Sequence, residues 1–302
     1  MINENFFNIL KQQKADIYLD EPMSKHTTFH IGGNADCFCE VKDVHSLKNI
    51  IRFCKEYSVP YFIIGLGSNL LVSDDGIRGL VIKLSGEFNS ITLLEDNLIR
   101  CGAGVSLARL CVFARKMSLS GLEFAWGIPG SVGGAVYMNA GAYNCEIKNI
   151  VTSVTYIDNN GNNKKYSGNE LKFSYRHSLF TDTDNIISDV TFKLEPKPQE
   201  LIIDRMQELM DRRKAKQPIN HPSAGSIFKR PGENIYAAAL IEECGLKGFS
   251  IGGAEVSTKH SGFIVNDHNA TAKDVKALIE HIQKVVLEQK GINLCCEVKF
   301  IG

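Results

Sequence analysis

The sequence predicts an α+β fold in more than one domain, and three observations carry that expectation. Strand-like and helix-like runs are mixed without strict β-α alternation, which argues against a doubly wound parallel sheet. Gly65-Leu66-Gly67-Ser68-Asn69-Leu70 opens like a dinucleotide loop. Yet leucine stands where the third glycine belongs, and Leu70 to Ile82, with Gly76 and Gly79, reads as strand and turn rather than helix. A length of 302 residues indicates two or three domains at roughly 100–200 residues each. The clearest boundary is Pro196-Lys197-Pro198, where two prolines stiffen the chain and remove hydrogen-bond donors.

Taken in order, Asn3 to Lys14 reads as a short amphipathic helix with Phe6, Phe7 and Leu10 on one side. Asp43 caps a helix running to Tyr57, with Val44, Leu47, Ile50, Ile51 and Cys54 at helical spacing, and Pro60 closes it off. Tyr61 to Ile64, Leu80 to Leu84 and Asn97 to Cys101 are strands. Ser106 caps a helix carrying Leu107, Leu110, Cys111 and Ala114. Val151 to Ile157 and Asn185 to Leu194 are strands, and Asn159-Asn160-Gly161-Asn162 is a hairpin turn. Gln199 to Lys216 is a helix, Asn234 to Cys244 is helical, and Thr271 caps a long helix to Lys290. Ile292 to Phe300 is a strand with Ile292, Leu294, Cys296, Val298 and Phe300 on one face and Asn293, Cys295, Glu297 and Lys299 on the other.

Composition narrows the function. The chain is 44% hydrophobic and 23% charged, with 34 Lys+Arg against 34 Asp+Glu. A zero formal charge disfavours a general electrostatic grip on nucleic acid or an anionic membrane. No apolar run approaches the roughly 18 residues of a membrane helix, and Met1 to Asp20 has no secretory-signal pattern. Nine scattered cysteines without a C-x-x-C pair fit a reduced, cytoplasmic protein. His26, His30, Cys37 and Cys39 form the one arrangement to weigh as a zinc set. The C-x-C spacing is unusual for zinc, and no metal is expected.

Glycine is the skew. Five of the fifteen positions from Gly127 to Gly141 are glycine, and Gly32-Gly33, Gly65-Leu66-Gly67 and Gly102-Ala103-Gly104 add further clusters. Each is either a tight backbone approach or a nest of N–H groups for an anion. From Arg212 to Arg230 there are six Lys/Arg and no acid, flanking Ser223-Ala224-Gly225-Ser226. That run is either a solvated helix face or a site for a phosphate-bearing substrate.

Together these segments resemble the UDP-N-acetylenolpyruvoylglucosamine reductase family. The stretches that carry the likeness are Thr27-Thr28-Phe29-His30-Ile31-Gly32-Gly33-Asn34-Ala35, Gly65 to Val72, Gly127-Ile128-Pro129-Gly130-Ser131-Val132-Gly133-Gly134-Ala135 and Met138-Asn139-Ala140-Gly141-Ala142. Further along come Tyr175-Arg176-His177-Ser178, Ala224-Gly225-Ser226-Ile227-Phe228-Lys229 and Glu297-Val298-Lys299-Phe300-Ile301-Gly302. The resemblance implies an FAD-binding domain of the vanillyl-alcohol-oxidase type in two lobes, residues 1–65 and 66–195, and an α+β substrate-binding domain over 196–302. It implies FAD and NADPH as cofactors and UDP-N-acetylglucosamine enolpyruvate as substrate. Hydride would pass from NADPH to FAD and on to C3 of the enolpyruvyl group, with a proton delivered to C2.

On the same resemblance, FAD would lie on Gly65, Gly67, Ser68 and Asn69 and on Gly127, Gly130, Ser131 and Gly134. Arg176 matches the arginine that meets the substrate carboxylate, which a guanidinium holds with two parallel N–H bonds. Ser226 matches the proton donor, with Lys229 or water as the assisting group. Glu297 matches the carboxyl beside the enolate, where it would have to be neutral or paired with Arg176; its plain reading is a solvated strand face. Lys216 falls near the lysine on the UDP diphosphate. No long insertion separates Arg176 from the strand near Ile186, so the chain resembles the shorter class, which lacks a tyrosine-bearing loop. The cluster from Arg212 to Lys216 would compensate.

Overall fold

The computed structural model describes residues 4–302 and divides them into two compact units. The first takes the chain up to Leu19, then Asp36–Leu66 and Gly79–Asp211; the second takes Asp20–Ala35, Gly67–Arg78 and Arg212–Gly302. Seven α-helices lie among the described residues: α1 (Glu4–Lys11), α2 (Val44–Glu56), α3 (Leu107–Lys116), α4 (Val132–Tyr137), α5 (Gln199–Lys216), α6 (Ala237–Glu243) and α7 (Ala272–Lys290). None is long and apolar enough to cross a membrane.

The first unit holds two larger sheets. One runs in the order Ala15–Pro22, Asn34–Val41, Ile77–Leu84, Tyr61–Ile64, and its Tyr61–Ile64 pairing is parallel. The other is antiparallel, in the order Asn163–Ser167, Val151–Ile157, Ile186–Lys193, Leu98–Gly102, Ile91–Leu93. Its hairpin turns at Gly161, whose φ of 79° suits the tight connection. Leu47, Ile50, Leu80, Ile82, Ile99, Leu110 and Phe192 lie fully buried in one core. Helix α2 starts where its cap stands, since the Asp43 carboxylate accepts from Ser46 N at 2.7 Å. The Pro196-Lys197-Pro198 break falls inside this unit, because Ile202 and Met206 of α5 are buried in its core.

In the second unit an antiparallel sheet runs Ser223–Ser226, Phe263–Asn266, Ala254–Val256, Ser250–Ile251. Helix α7 covers one face with Val275, Leu278, Ile279, Ile282 and Val286. Its start is doubly capped. Thr271 and Asp274 form a reciprocal capping box, and the Asp74 carboxylate accepts from Ala272 N (2.8 Å) and Lys273 N (3.0 Å). A separate two-stranded sheet pairs Leu70–Val72 in parallel with Lys299–Ile301.

Several elements differ from expectation. Helix α1 is shorter than predicted and is followed by a strand, Ala15–Pro22, whose acidic and half-exposed residues hid it; Asn3 lies outside the described residues. The predicted helix from Asn234 begins only at Ala237. Asn234 is left-handed at φ 57°, and Gly232 bridges Ile235, so a turn occupies its first positions. The predicted strand from Ile292 to Phe300 contracts to Lys299–Ile301. The segment before it pairs only through an isolated bridge between Phe228 and Cys296. Alternation therefore holds through buried Leu294 and Val298 but fails at Phe300, which is 47% exposed. Helix α4 forms where the sequence reads only as a glycine loop, because Ser131 caps it.

Candidate active site

In the first unit Gly65 and the glycine-rich segment at Ser131 explain each other. A Cβ placed on Gly65 would lie 2.3 Å from Ser131 Oγ, so only glycine permits that approach. Ser131 is buried, and its Oγ accepts from Gly134 N at 3.2 Å, which caps α4. Gly130 is buried with its carbonyl accepting from Leu107 N at 2.8 Å, while Gly127 is half-buried and Gly134 exposed. Two other glycine clusters resolve as backbone packing. A Cβ on Gly102 would meet the Phe88 carbonyl at 2.1 Å, and one on Gly33 would meet the Asp74 carbonyl at 2.0 Å.

Arg176 sits in a tight turn between Ser174 and His177, which bridge each other. Its φ of 54° is unusual for a long side chain and marks a position fixed by its surroundings. Its Nη2 donates to the Gly141 carbonyl at 3.4 Å, and the guanidinium lies 5.2 Å from the Tyr175 ring centroid. The anchor is Asn139, which stands in a matching stretch of the sequence but has no role assigned there. It is fully buried, and its Nδ2 donates to the Ser174 carbonyl (2.8 Å) and to Glu146 Oε2 (3.2 Å), while its Oδ1 accepts from Lys148 N (3.0 Å). An asparagine in a run of small residues was the available signal.

In the second unit Ser226 owes its orientation to one inserted residue. Ser223 pairs with Val265 and Ser226 with Phe263, so three steps on one strand oppose two on the other. The β-bulge turns at Gly225, φ 77°. Ala224 and Ile227 on either side are buried in the α7 core. Simple alternation from Ser223 would send Ser226 into that core; the bulge turns it to the other face.

Glu297 arrives beside it through the backbone. Glu297 N donates to the Ile227 carbonyl at 2.7 Å, and Lys229 N donates to the Cys295 carbonyl at 2.9 Å. Asn69 Nδ2 donates to the Glu297 carbonyl at 3.1 Å. Ser226, Lys229, Glu297 and Asn69 are thus brought together. Thr28 continues the set, since its Oγ1 donates to the Ser223 carbonyl (2.7 Å) and its N donates to the Gly67 carbonyl (3.3 Å). Burial pushes the Cys296 thiol up, keeping a neutral neighbour beside Glu297.

Gly67 has φ 63°, and a Cβ there would meet the His26 carbonyl at 2.1 Å. It is buried, and its N–H and that of Ser68 have no protein acceptor among the described residues. Two successive N–H groups left unspent on a left-handed turn at a buried glycine suit a diphosphate, so this loop fits FAD.

Lys216 is exposed at the C-terminal end of α5, where Lys259 Nζ also donates to the Lys214 carbonyl at 2.5 Å. Cations there also complement the helix dipole, so the basic run has a structural reason beside any role in binding. The weighed zinc set does not assemble, and no three candidate donors form a metal group among the described residues. Cys37 and Cys39 are buried in the first core, where burial pushes each thiol up to about 12. His26 pairs with Glu21 at 3.0 Å.

Comparison with known proteins gives a consistent result. A family model described as FAD binding domain matches residues 35–166, and one described as the C-terminal domain of UDP-N-acetylenolpyruvoylglucosamine reductase matches 217–301. A UDP-N-acetylenolpyruvoylglucosamine reductase of Caldanaerobacter subterraneus subsp. tengcongensis is 49% identical, over 97% of this chain and 96% of its own. The solved reductase of the same name from Thermus caldophilus superposes with a TM-score of 0.81 at 36% identity, covering 95% of this chain and 99% of that one. A berberine bridge enzyme variant, a reticuline dehydrogenase, shares the fold at a TM-score of 0.51 and 16% identity, over 64% of this chain and 44% of its own.

Proposed function

The chain belongs to the UDP-N-acetylenolpyruvoylglucosamine reductase family, and from that premise we propose that Arg176, Ser226 and Glu297 carry its chemistry. It is an FAD-dependent oxidoreductase of peptidoglycan precursor synthesis that consumes NADPH and reduces a UDP-sugar enolpyruvate. Its fold is α+β, an FAD-binding domain of the vanillyl-alcohol-oxidase type followed by a reductase C-terminal domain. By role we assign residues 1–65 and 66–195 as the flavin lobes and 196–302 as the substrate domain, although Gln199–Asp211 belongs to the first compact unit and Asp20–Ala35 and Gly67–Arg78 to the second. The substrate is UDP-N-acetylglucosamine enolpyruvate, the product is UDP-N-acetylmuramate, and the setting is the cytoplasm, which suits nine unpaired cysteines.

The backbone of Gly65, Gly67, Ser68 and Asn69 would hold the FAD diphosphate, and Gly127, Gly130, Ser131 and Gly134 would hold another part of the cofactor. When bound, FAD supplies hydride to the enolpyruvyl methylene and is restored by NADPH. The protein has two tasks: to meet charge that grows on the substrate, and to deliver one proton. Arg176 holds the carboxylate and meets that charge. Ser226 gives its hydroxyl proton to C2, and Lys229 restores it through water. Glu297 in its protonated form donates a hydrogen bond to the enolate. Lys216 holds the diphosphate, supported by Arg212 and Arg213.

The observation that supports this most is the hydrogen bond from Glu297 N to the Ile227 carbonyl. With the bulge at Gly225, it gathers a hydroxyl and a carboxyl from distant parts of the chain. Visible absorbance tests the reading. NADPH should bleach the flavin bands of the holoenzyme, and the enolpyruvyl sugar nucleotide should restore them. Ser226→Ala should keep the bleaching step and slow restoration by about 10²–10⁴-fold. Equal loss in both steps would remove Ser226 from its role.

A further inference from the structure

We infer that the Asn69 side chain is a positioning residue for Glu297, tying the carboxyl to the flavin loop; this rests on the role given to Glu297 above. The geometry begins with the parallel pair. Leu70 stands opposite Lys299 and Leu71 opposite Phe300, so the residue entering one strand lies beside the residues entering the other. One of those entries is the loop of Gly67 and Ser68; the other is Glu297. Asn69 bridges them twice. Its carbonyl accepts from Lys299 N at 2.9 Å, and its Nδ2 donates to the Glu297 carbonyl at 3.1 Å.

The Glu297 backbone is therefore held at both polar ends, its N–H by Ile227 and its C=O by Asn69. The first hold sets Glu297 against Ser226. The second sets it against the loop whose unspent N–H groups would hold the cofactor diphosphate. A side chain on a segment too short to belong to a wide sheet needs such fixing, because only Lys299–Ile301 of that region forms a strand. Asn69 supplies the donor that no neighbouring strand provides. Its own backbone stays with the loop, so its side chain can be changed without removing the loop's N–H groups.

The test uses the FAD-loaded protein with excess FAD, and Asn69→Ala, Asn69→Asp and Glu297→Gln variants. Asn69→Asp keeps the size but turns the donor into an acceptor, and it serves if the alanine variant does not fold. Bleaching by NADPH should slow less than restoration does in every Asn69 variant, since Asn69 itself belongs to the cofactor loop. Restoration by the enolpyruvyl sugar nucleotide should slow about 10- to 100-fold, as expected for one lost positioning bond and a displaced reacting group. KM for that substrate should change little. The pH profile of restoration should shift in both Asn69 variants and lose its Glu297-dependent limb in Glu297→Gln. Restoration at the parent rate and pH profile in the Asn69 variants, with Glu297→Gln impaired, would overturn the inference alone. Equal slowing of both half-reactions would also overturn it. An unimpaired Glu297→Gln would sink both this inference and the role of Glu297 beneath it.

Discussion

Substituting Gly65 by alanine tests the contact that joins its loop to the Ser131 helix cap. The added Cβ would stand 2.3 Å from Ser131 Oγ and 3.3 Å from Ser131 Cβ. Ser131 is 3% exposed, so its hydroxyl cannot swing into water. Moving it breaks the 3.2 Å bond to Gly134 N, a helix cap whose loss costs about 1 kcal/mol, and crowding adds about 1–2 kcal/mol. Gly65→Ala should therefore cost about 2–3 kcal/mol. Ser131→Ala alone should cost about 1 kcal/mol. With the hydroxyl gone the nearest atom is Ser131 Cβ, a contact relieved by a small shift, so Gly65→Ala in that background should cost under about 1 kcal/mol. The coupling is about 1–2 kcal/mol, with the double variant no worse than Gly65→Ala. Urea unfolding read by Trp126, the only tryptophan and a residue of the first unit, measures all four proteins. Costs that add within about 0.5 kcal/mol would refute the steric account.

Three other outcomes are expected. Gly225→Ala, at φ 77° with open space around its Cβ, should destabilise by about 1 kcal/mol and slow restoration of the flavin bands more than their bleaching, because the bulge aims Ser226; equal slowing counts against that. Burial raises the thiols of Cys37, Cys39, Cys54 and Cys101 from 9 to about 12, lowering their thiolate population near pH 8 by about 10³-fold. Iodoacetamide followed by mass spectrometry should label exposed Cys145 and Cys295 and spare those four until urea is added. The Thr271 backbone N–H holds the Asp274 carboxyl below its ordinary range, so its stabilisation is complete above the unfolded value and fades as pH falls through the folded one. The stability gap between the parent and Asp274→Ala should narrow below about pH 4, measured by circular dichroism in urea.

The sequence exposes what depends on near neighbours. Asp43, Ser106 and Thr271 each stand one residue before the helix they cap, because a cap is a local hydrogen bond. Val151–Ile157 and Tyr61–Ile64 keep their predicted bounds, each being a compact apolar run. What depends on distant partners stayed hidden. The bulge at Gly225 exists only relative to Phe263–Asn266, and the double hold on Glu297 only relative to Ile227 and Asn69. Alternation suggested a long strand through Glu297, but alternation reports which side chains are buried, not whether a neighbour supplies hydrogen bonds. The residues proposed for the site stand in the sequence as identities. Their wiring, including Asn139 beneath the Arg176 turn, was not legible there.

Pairing of residues 70–72 with 299–301 also sets a clock during synthesis. The Asn69–Glu297 link spans 228 residues, and a ribosome adding about 5–20 residues per second needs about 10–45 s to make that stretch. Until then residues 70–72 lack their parallel mate, and the nascent polypeptide carries a bare strand while the stretch between is made. An unpaired edge of that kind is open to pairing with a wrong neighbour until its own partner emerges.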